Sequence, residues 1–169
     1  KKFKFRLRGR ADSNYAANID DRRSISGGRV FLEEAPACFR SATQKFVTLS
    51  VTEAEGAAGV MVAQDMLYAY RLLESLELQV ELPMILEMDN KGAVDLANNW
   101  SVGGRTRHVD VRNHFLRELK DLGLLVVKFV PGDENDADIF TKNTLAAVFE
   151  RYIPKFVGVD EYMEDKPPS

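Results

Sequence analysis

A chain of 169 residues with 23 basic and 26 acidic side chains has a net charge of −3, so no global positive field marks it as a nucleic-acid binder and any such contact needs a local patch. The length suits a single domain that buries about two-thirds of its unfolded surface. Its single cysteine, Cys38, excludes an internal disulfide framework and a cysteine-rich zinc site and fits a reducing compartment, and no apolar run approaches the ~20 residues of a membrane span.

The N-terminal stretch KKFKFRLRGR alternates charged with apolar residues, unlike a signal peptide. Its period of two predicts a strand with Phe3, Phe5 and Leu7 on one face, Lys4, Arg6 and Arg8 on the other, and Asp12 at its end. NIDDRRSISGG reads as turn chemistry, and RVFLEE and ACFRSA as two further strands, so that residues 3–41 form an antiparallel meander. A long helix is predicted from about Ser50 to Leu78. LPMILEMD is a strand opened by Pro83 and ended by Asp89, and NKGAVDLANN a short helix beginning near Asn90. VDVRNHFLRELKDLG predicts an amphipathic helix with Val111, Phe115, Leu119 and Leu122 along one face and Gly123 as its stop. LLVVKFV is a strand halted by Pro131, and DADIFTKNTLAAVFERYI is mostly helical, with Asp138 at its opening. Residues 1–165 are expected to form one domain and 166–169 a disordered tail. The order βββ–α–β–α–α–β–α predicts a three-layer α/β fold with mixed strand directions.

Two glutamates near the start of the long helix, Glu53 and Glu55, can both be capping residues, because Ser50–Glu53 and Thr52–Glu55 share the capping-box spacing. Helical phase separates them. Steps of three and four from Glu55 meet Ala58, Gly59, Val62, Met66, Ala69, Leu73 and Leu76, an apolar row, whereas the row from Glu53 turns polar at Gln64, Arg71 and Glu74. Glu53 is therefore expected to cap, and Glu55 to head the buried face, where a carboxylate needs a partner, a proton or a metal. Asp12, Asp89 and Asp138 lie where strands end or helices begin, and in open α/β sheets sites gather at strand ends. Each also has an ordinary use as a cap or dipole partner; Asp20, Asp21, Asp133 and Asp136 are left as turn or cap residues. Carboxylates from separate elements, with no cysteine cluster and no catalytic serine motif, point to hard-cation chemistry with Mg²⁺ or Mn²⁺.

These pieces coincide with a known pattern. ADSNYAANIDDRRSISGGRVF, FRSATQKFVTLSVTEAE, MDNKGAVDLANN, GRTRHVDVRNHFLREL and VKFVPGDENDADIFTK together resemble the ribonuclease H domain of copia-type LTR retrotransposons, over about residues 7–145. The resemblance implies the ribonuclease H-like fold: a five-stranded mixed sheet, three antiparallel strands followed by two parallel ones, flanked by helices. It also implies hydrolysis of the RNA strand of an RNA–DNA hybrid, with two Mg²⁺ ions (or Mn²⁺) held by Asp12, Glu55, Asp89 and Asp138. In that pattern Asp12 bridges both ions, Asp138 helps hold one, and Glu55 with Asp89 holds the other. It further implies a reverse transcriptase domain upstream in the same polyprotein, a monomeric isolated domain, and a site of action in a cytoplasmic virus-like particle or the nucleus. The chain departs from the pattern at Arg10, where an aromatic is usual before the first aspartate, and in FRSATQ, where two lysines are missing. No histidine precedes the last aspartate.

For contacts with the hybrid, Arg105, Arg107, His108 and Arg112 form a local basic cluster next to Gly103 and Gly104. Asn90 can cap a helix, contact the 2′-hydroxyl that distinguishes RNA from DNA, or both. Trp100 and His114 are expected to be structural. A nuclease and a catalytically weak or silent module kept for protein binding are both compatible with the sequence. A DNA-directed relative on the same fold, such as an integrase or resolvase, is the third reading.

Overall fold

The N-terminal alternation does not make one strand. In the computed structural model, which describes residues 3–99 and 107–157, the stretch divides at Arg6, whose backbone N–H donates to Glu33 Oε1 at 2.7 Å. Before the break, β1 (Lys4–Phe5) pairs parallel with β5 (Gln79–Val80) in a small separate sheet. After it, β2 (Leu7–Asn14) becomes the middle strand of the main sheet and runs two residues beyond Asp12.

The main sheet contains β3 (Ile25–Leu32), β4 (Ala35–Thr43), β6 (Met84–Met88) and β7 (Leu125–Phe129), in the order β4-β3-β2-β6-β7. The pairs β2–β3 and β3–β4 are antiparallel, and β2–β6 and β6–β7 parallel, giving the mixed five-stranded sheet expected. Ser26, Gly27 and Gly28, read from sequence as turn residues, lie inside β3. Glycine there serves close approach: a Cβ on Gly28 would run into Val62, and one on Gly9 would come within 2.5 Å of Met66 Sδ. Both contacts are with α1 (Val51–Ser75), which thereby packs tightly on the middle of the sheet.

One face of α1 (Ala58, Val62, Ala63, Met66) is buried against Leu7, Ala11, Val30, Leu86 and Met88, forming the core. Leu76, at the end of the predicted row, is exposed. The helices α2 (Lys91–Asn98) and α3 (Arg107–Asp121) extend this layer over β6 and β7. On α3 the inner positions are Leu116 and Leu119, while Leu122 is 64% exposed. Gly123, at φ +69°, terminates that helix and leaves Leu122 in the turn beyond the inner stripe. Val111 has its side chain outside the described residues. The predicted final helix is broken into 3₁₀ turns at Gly132–Glu134 and Asp136–Phe140, then α4 (Ala146–Tyr152) and α5 (Pro154–Val157). Asp138 therefore sits inside a 3₁₀ turn instead of opening a helix. No described helix is long and apolar enough to cross a membrane.

The opposite sheet face carries arginines. Arg10 and Arg29 are cross-strand partners, and Arg10 also aligns with Glu87. Arg29 is buried between the rings of Phe31 and Phe156, 3.9 and 4.6 Å from their centroids. Arg10 Nε donates to Glu87 Oε2 at 2.7 Å and Arg10 Nη1 to Asp136 Oδ2 at 2.9 Å, while Arg29 Nη2 pairs with the same Asp136 oxygen. Asp136 opens the second 3₁₀ turn, in keeping with the turn reading from sequence, but it is wholly buried and carries these ion pairs.

Candidate metal centre

Three elements converge where β2 and β6 end. Asp12 lies near the end of β2, Asp89 directly follows β6, and Glu55 comes from the first turns of α1. One carboxylate oxygen from each lies within 4.8 Å of the others. Asp12 is 1% and Glu55 4% exposed, and Asp89 is half-buried. Sequence proximity contributes nothing to this meeting; the parallel pairing of β2 with β6 and the packing of α1 across them bring it about.

The two glutamates occupy the different environments that helical phase indicates. Ser50 is the N-cap: its Oγ accepts the Glu53 N–H at 3.1 Å, and Glu53 Oε2 accepts the Leu49 N–H at 2.8 Å. Glu55 Oε1 accepts from both the backbone N–H (3.2 Å) and the hydroxyl (2.9 Å) of Ser13. Glu55 Oε2 is buried with no hydrogen-bond partner. A buried acceptor without a donor is rare, and a hard divalent cation with all-oxygen ligands supplies what this one lacks. The donor set thus fits Mg²⁺ or Mn²⁺.

The electrostatics agree. Burial, followed by the charges of Asp12 and Asp89, pushes the Glu55 carboxyl up to about 8, against the bonds from Ser13. Burial raises Asp12 to about 7, with Asp138 and Asp89 adding to it and Thr141 and Lys142 opposing. Asp89 is raised for the same first reason. Carboxyls crowded away from water without a matching cation titrate in this direction.

Asp138 stands apart from that trio. Its Oδ1 accepts from Lys142 Nζ at 2.5 Å, and the same ammonium lies 3.6 Å from Asp12 Oδ2. Thr141 Oγ1 donates to Asp12 Oδ2 as well. The loop bearing these groups is held on β2 by Asn135, which donates to the Ala11 carbonyl at 3.0 Å, and by the arginine pairs to Asp136. Ser13, Thr141 and Lys142 were not singled out from the sequence; Thr141 and Lys142 stand three and four residues after Asp138, the spacing of neighbours on a helical turn.

Among the expected hybrid contacts, Asn90 is the N-cap of α2 and accepts the Ala93 N–H at 2.9 Å. Arg112 lies 3.4 Å from the Phe46 ring centroid and 3.5 Å from Glu53 Oε1, joining α3 to the start of α1. Arg105, Gly103, Gly104 and Trp100 lie outside the described residues, as do the side chains of Arg107 and His108. His114 is exposed on α3.

No family model matches the chain. It is 35% identical over 136 residues to the retrovirus-related Pol polyprotein from transposon TNT 1-94 of Nicotiana tabacum, covering 80% of this chain and 10% of that polyprotein. The polyprotein from transposon RE1 of Arabidopsis thaliana is 31% identical over 153 residues, covering 90% and 10% respectively. The chain thus spans about one-tenth of the length of the curated relatives it matches. Among solved structures, LC11-RNase H1, isolated from compost by a metagenomic approach, aligns with a TM-score of 0.61 at 16% identity, over 80% of this chain and 92% of that one. The same enzyme in complex with an RNA/DNA hybrid aligns at 0.60 and 14% identity, covering 80% and 94%. The N-terminal RNase H domain of a Mycobacterium tuberculosis protein aligns at 0.59 and 15% identity, covering 87% and 98%.

Proposed function

Because the chain belongs to the Pol polyproteins of copia-type retrotransposons and has the ribonuclease H fold, we propose that it is a metal-dependent endonuclease that hydrolyses the RNA strand of RNA–DNA hybrids. The observation that carries this reading is the trio Asp12, Glu55 and Asp89, whose oxygens lie within 4.8 Å of one another with Glu55 Oε2 unpartnered. Asp12, Glu55 and Asp89 would hold one ion, and Asp12 with Asp138 a second. Such ions would supply an acidified water and stabilisation of charge on the attacking and leaving oxygens of the phosphodiester. The chain's own contribution is orientation. Ser13 holds the Glu55 rotamer, Thr141 holds Asp12, and Asn135 with the Asp136 pairs holds the loop of Asp138. The products of such cleavage are a 5′-phosphate and a 3′-hydroxyl.

Arg105, Arg107 and His108 supply phosphate contacts in this reading, and Asn90, fixed as a cap beside Asp89, faces the 2′-hydroxyl. Arg112, packed on Phe46, is the fourth basic residue in this reading. Reverse transcription is the setting, with an upstream reverse transcriptase in the same polyprotein and a cytoplasmic particle or the nucleus as the location. The test is cleavage of a labelled hybrid in Mg²⁺ or Mn²⁺. Cutting by the wild type and a loss of about 10²–10³-fold or more in Asp89→Asn are expected, on the scale of removing one group that stabilises transition-state charge. No cutting at any metal concentration, or equal cutting by the variant, overturns the reading.

The silent-module alternative draws on the net charge of −3 and the residues that depart from the pattern. Arg10 loses its force in that argument, since Glu87 and Asp136 both pair with it.

A further inference from the structure

The two candidate ion positions are not equivalent in this chain. The Asp12–Glu55–Asp89 side offers a buried carboxylate oxygen, Glu55 Oε2, with no hydrogen-bond partner. The Asp12–Asp138 side is taken up by the protein's own groups. Lys142 Nζ sits 2.5 Å from Asp138 Oδ1 and 3.6 Å from Asp12 Oδ2, and that Asp12 oxygen also accepts from Thr141 Oγ1. An ammonium placed against both carboxylates occupies the space an ion shared by them needs and repels a divalent charge there. It is also tethered, because Lys142 follows Asp138 by one helical turn and cannot diffuse away.

We propose that Lys142 is a built-in competitor for the second ion: the Asp12–Glu55–Asp89 position loads first, and the Asp12–Asp138 position loads only as Lys142 is displaced. Lys142 is thus a positioning residue that grades metal occupancy, and the two sites have separate affinities set by one side chain. Because Lys142 is about half-exposed, its stem can swing to solvent without unpacking the core. This inference rests on the metal-ion reading above.

The test is titration of the full chain with Mn²⁺ alone, followed by calorimetry and by the electron paramagnetic resonance of free Mn²⁺. Wild type, Lys142→Gln and Lys142→Arg are compared, each first checked for unchanged circular dichroism. Wild-type protein should bind one ion well and a second at least about tenfold more weakly. Lys142→Gln should tighten the second step by about tenfold, the modest end of what removing a unit charge about 4 Å away gives, and shift the first, which shares Asp12 with Lys142, by clearly less. Lys142→Arg, which keeps the charge, should resemble the wild type. Superimposable isotherms for wild type and Lys142→Gln, or an equal shift of both steps, overturn the competitor role while leaving the metal centre standing. Absence of any Mn²⁺ binding in all three proteins overturns the metal-ion reading and this inference with it.

Discussion

Two buried charge clusters share one loop and are built on opposite terms. Around Asp136, a wholly buried carboxylate is matched by Arg10 and Arg29, and Arg10 is matched again by Glu87. At the strand ends, Asp12, Glu55 and Asp89 bring carboxylates together, offset among the described residues by Thr141, Ser13, Asn135 and the half-exposed Lys142. Burial disfavours charge in both places, and only the compensation differs. On the arginine side, burial, then the charges of Arg10 and Arg8, depresses the Arg29 guanidinium to about 9, so it stays charged at neutral pH. On the other side, the carboxyls rise toward neutrality. Compensated charge holds the loop in place, and the less compensated carboxyls form the candidate metal centre.

The sharpest way to break the comparison is to neutralise one member of each cluster. Glu55→Gln should lower hybrid cleavage by about 10²–10³-fold or more with little loss of stability, since glutamine mimics the protonated acid that burial already favours and keeps the acceptor for Ser13. A stable, fully active Glu55→Gln protein would remove Glu55 from the centre. Asp136→Ala should do the reverse and destabilise the fold by about 3–5 kcal/mol, because Arg29 would be left buried without its acid while Arg10 keeps Glu87. Urea denaturation measures this, and a change below about 1 kcal/mol would show the cluster to be dispensable.

A finer test uses pH on metal-free protein. A carboxyl whose pKa rises on folding holds its proton more tightly in the folded state. Its stabilising contribution is complete below the unfolded value of about 4 and is lost as pH rises through the folded value. With Asp12 near 7 and Glu55 near 8, stability should fall between about pH 4 and 8, and Glu55→Gln should flatten the upper part of that slope. Denaturation midpoints at a series of pH values decide it, and a flat wild-type profile would contradict the raised carboxyls. The smallest effect belongs to Glu53→Gln, which keeps a capping acceptor and loses only the pair to Arg112. It should shift stability by less than about 1 kcal/mol and leave cleavage unchanged; a loss matching that of Glu55→Gln would erase the distinction between the two glutamates.

Much of the fold was legible in local pattern. Period-two and helical stretches marked the main strands and the helices α1, α2 and α3, and the walk from Glu55 separated the buried row of α1 from its polar flank. Legibility failed where neighbours distant in sequence intervened. Ser26, Gly27 and Gly28 looked like a turn because glycine is common in turns; they are strand residues because α1 and the Phe140 loop press against them. Leu122 kept its place in the apolar count yet lies exposed, because the Gly123 stop comes too soon after it.

The sequence by itself determined the order of the main-sheet strands and of α1 to α3, the family resemblance, and the separation of Glu53 from Glu55, because each rests on local spacing, capping chemistry or motif. Only the tertiary structure decided which charges are compensated. Arg10 meets Asp136 across 126 residues, and Thr141 meets Asp12 across 129. Whether a buried acid becomes a strut or a ligand depends on such meetings, and strand pairing and loop closure, not spacing along the chain, bring them about.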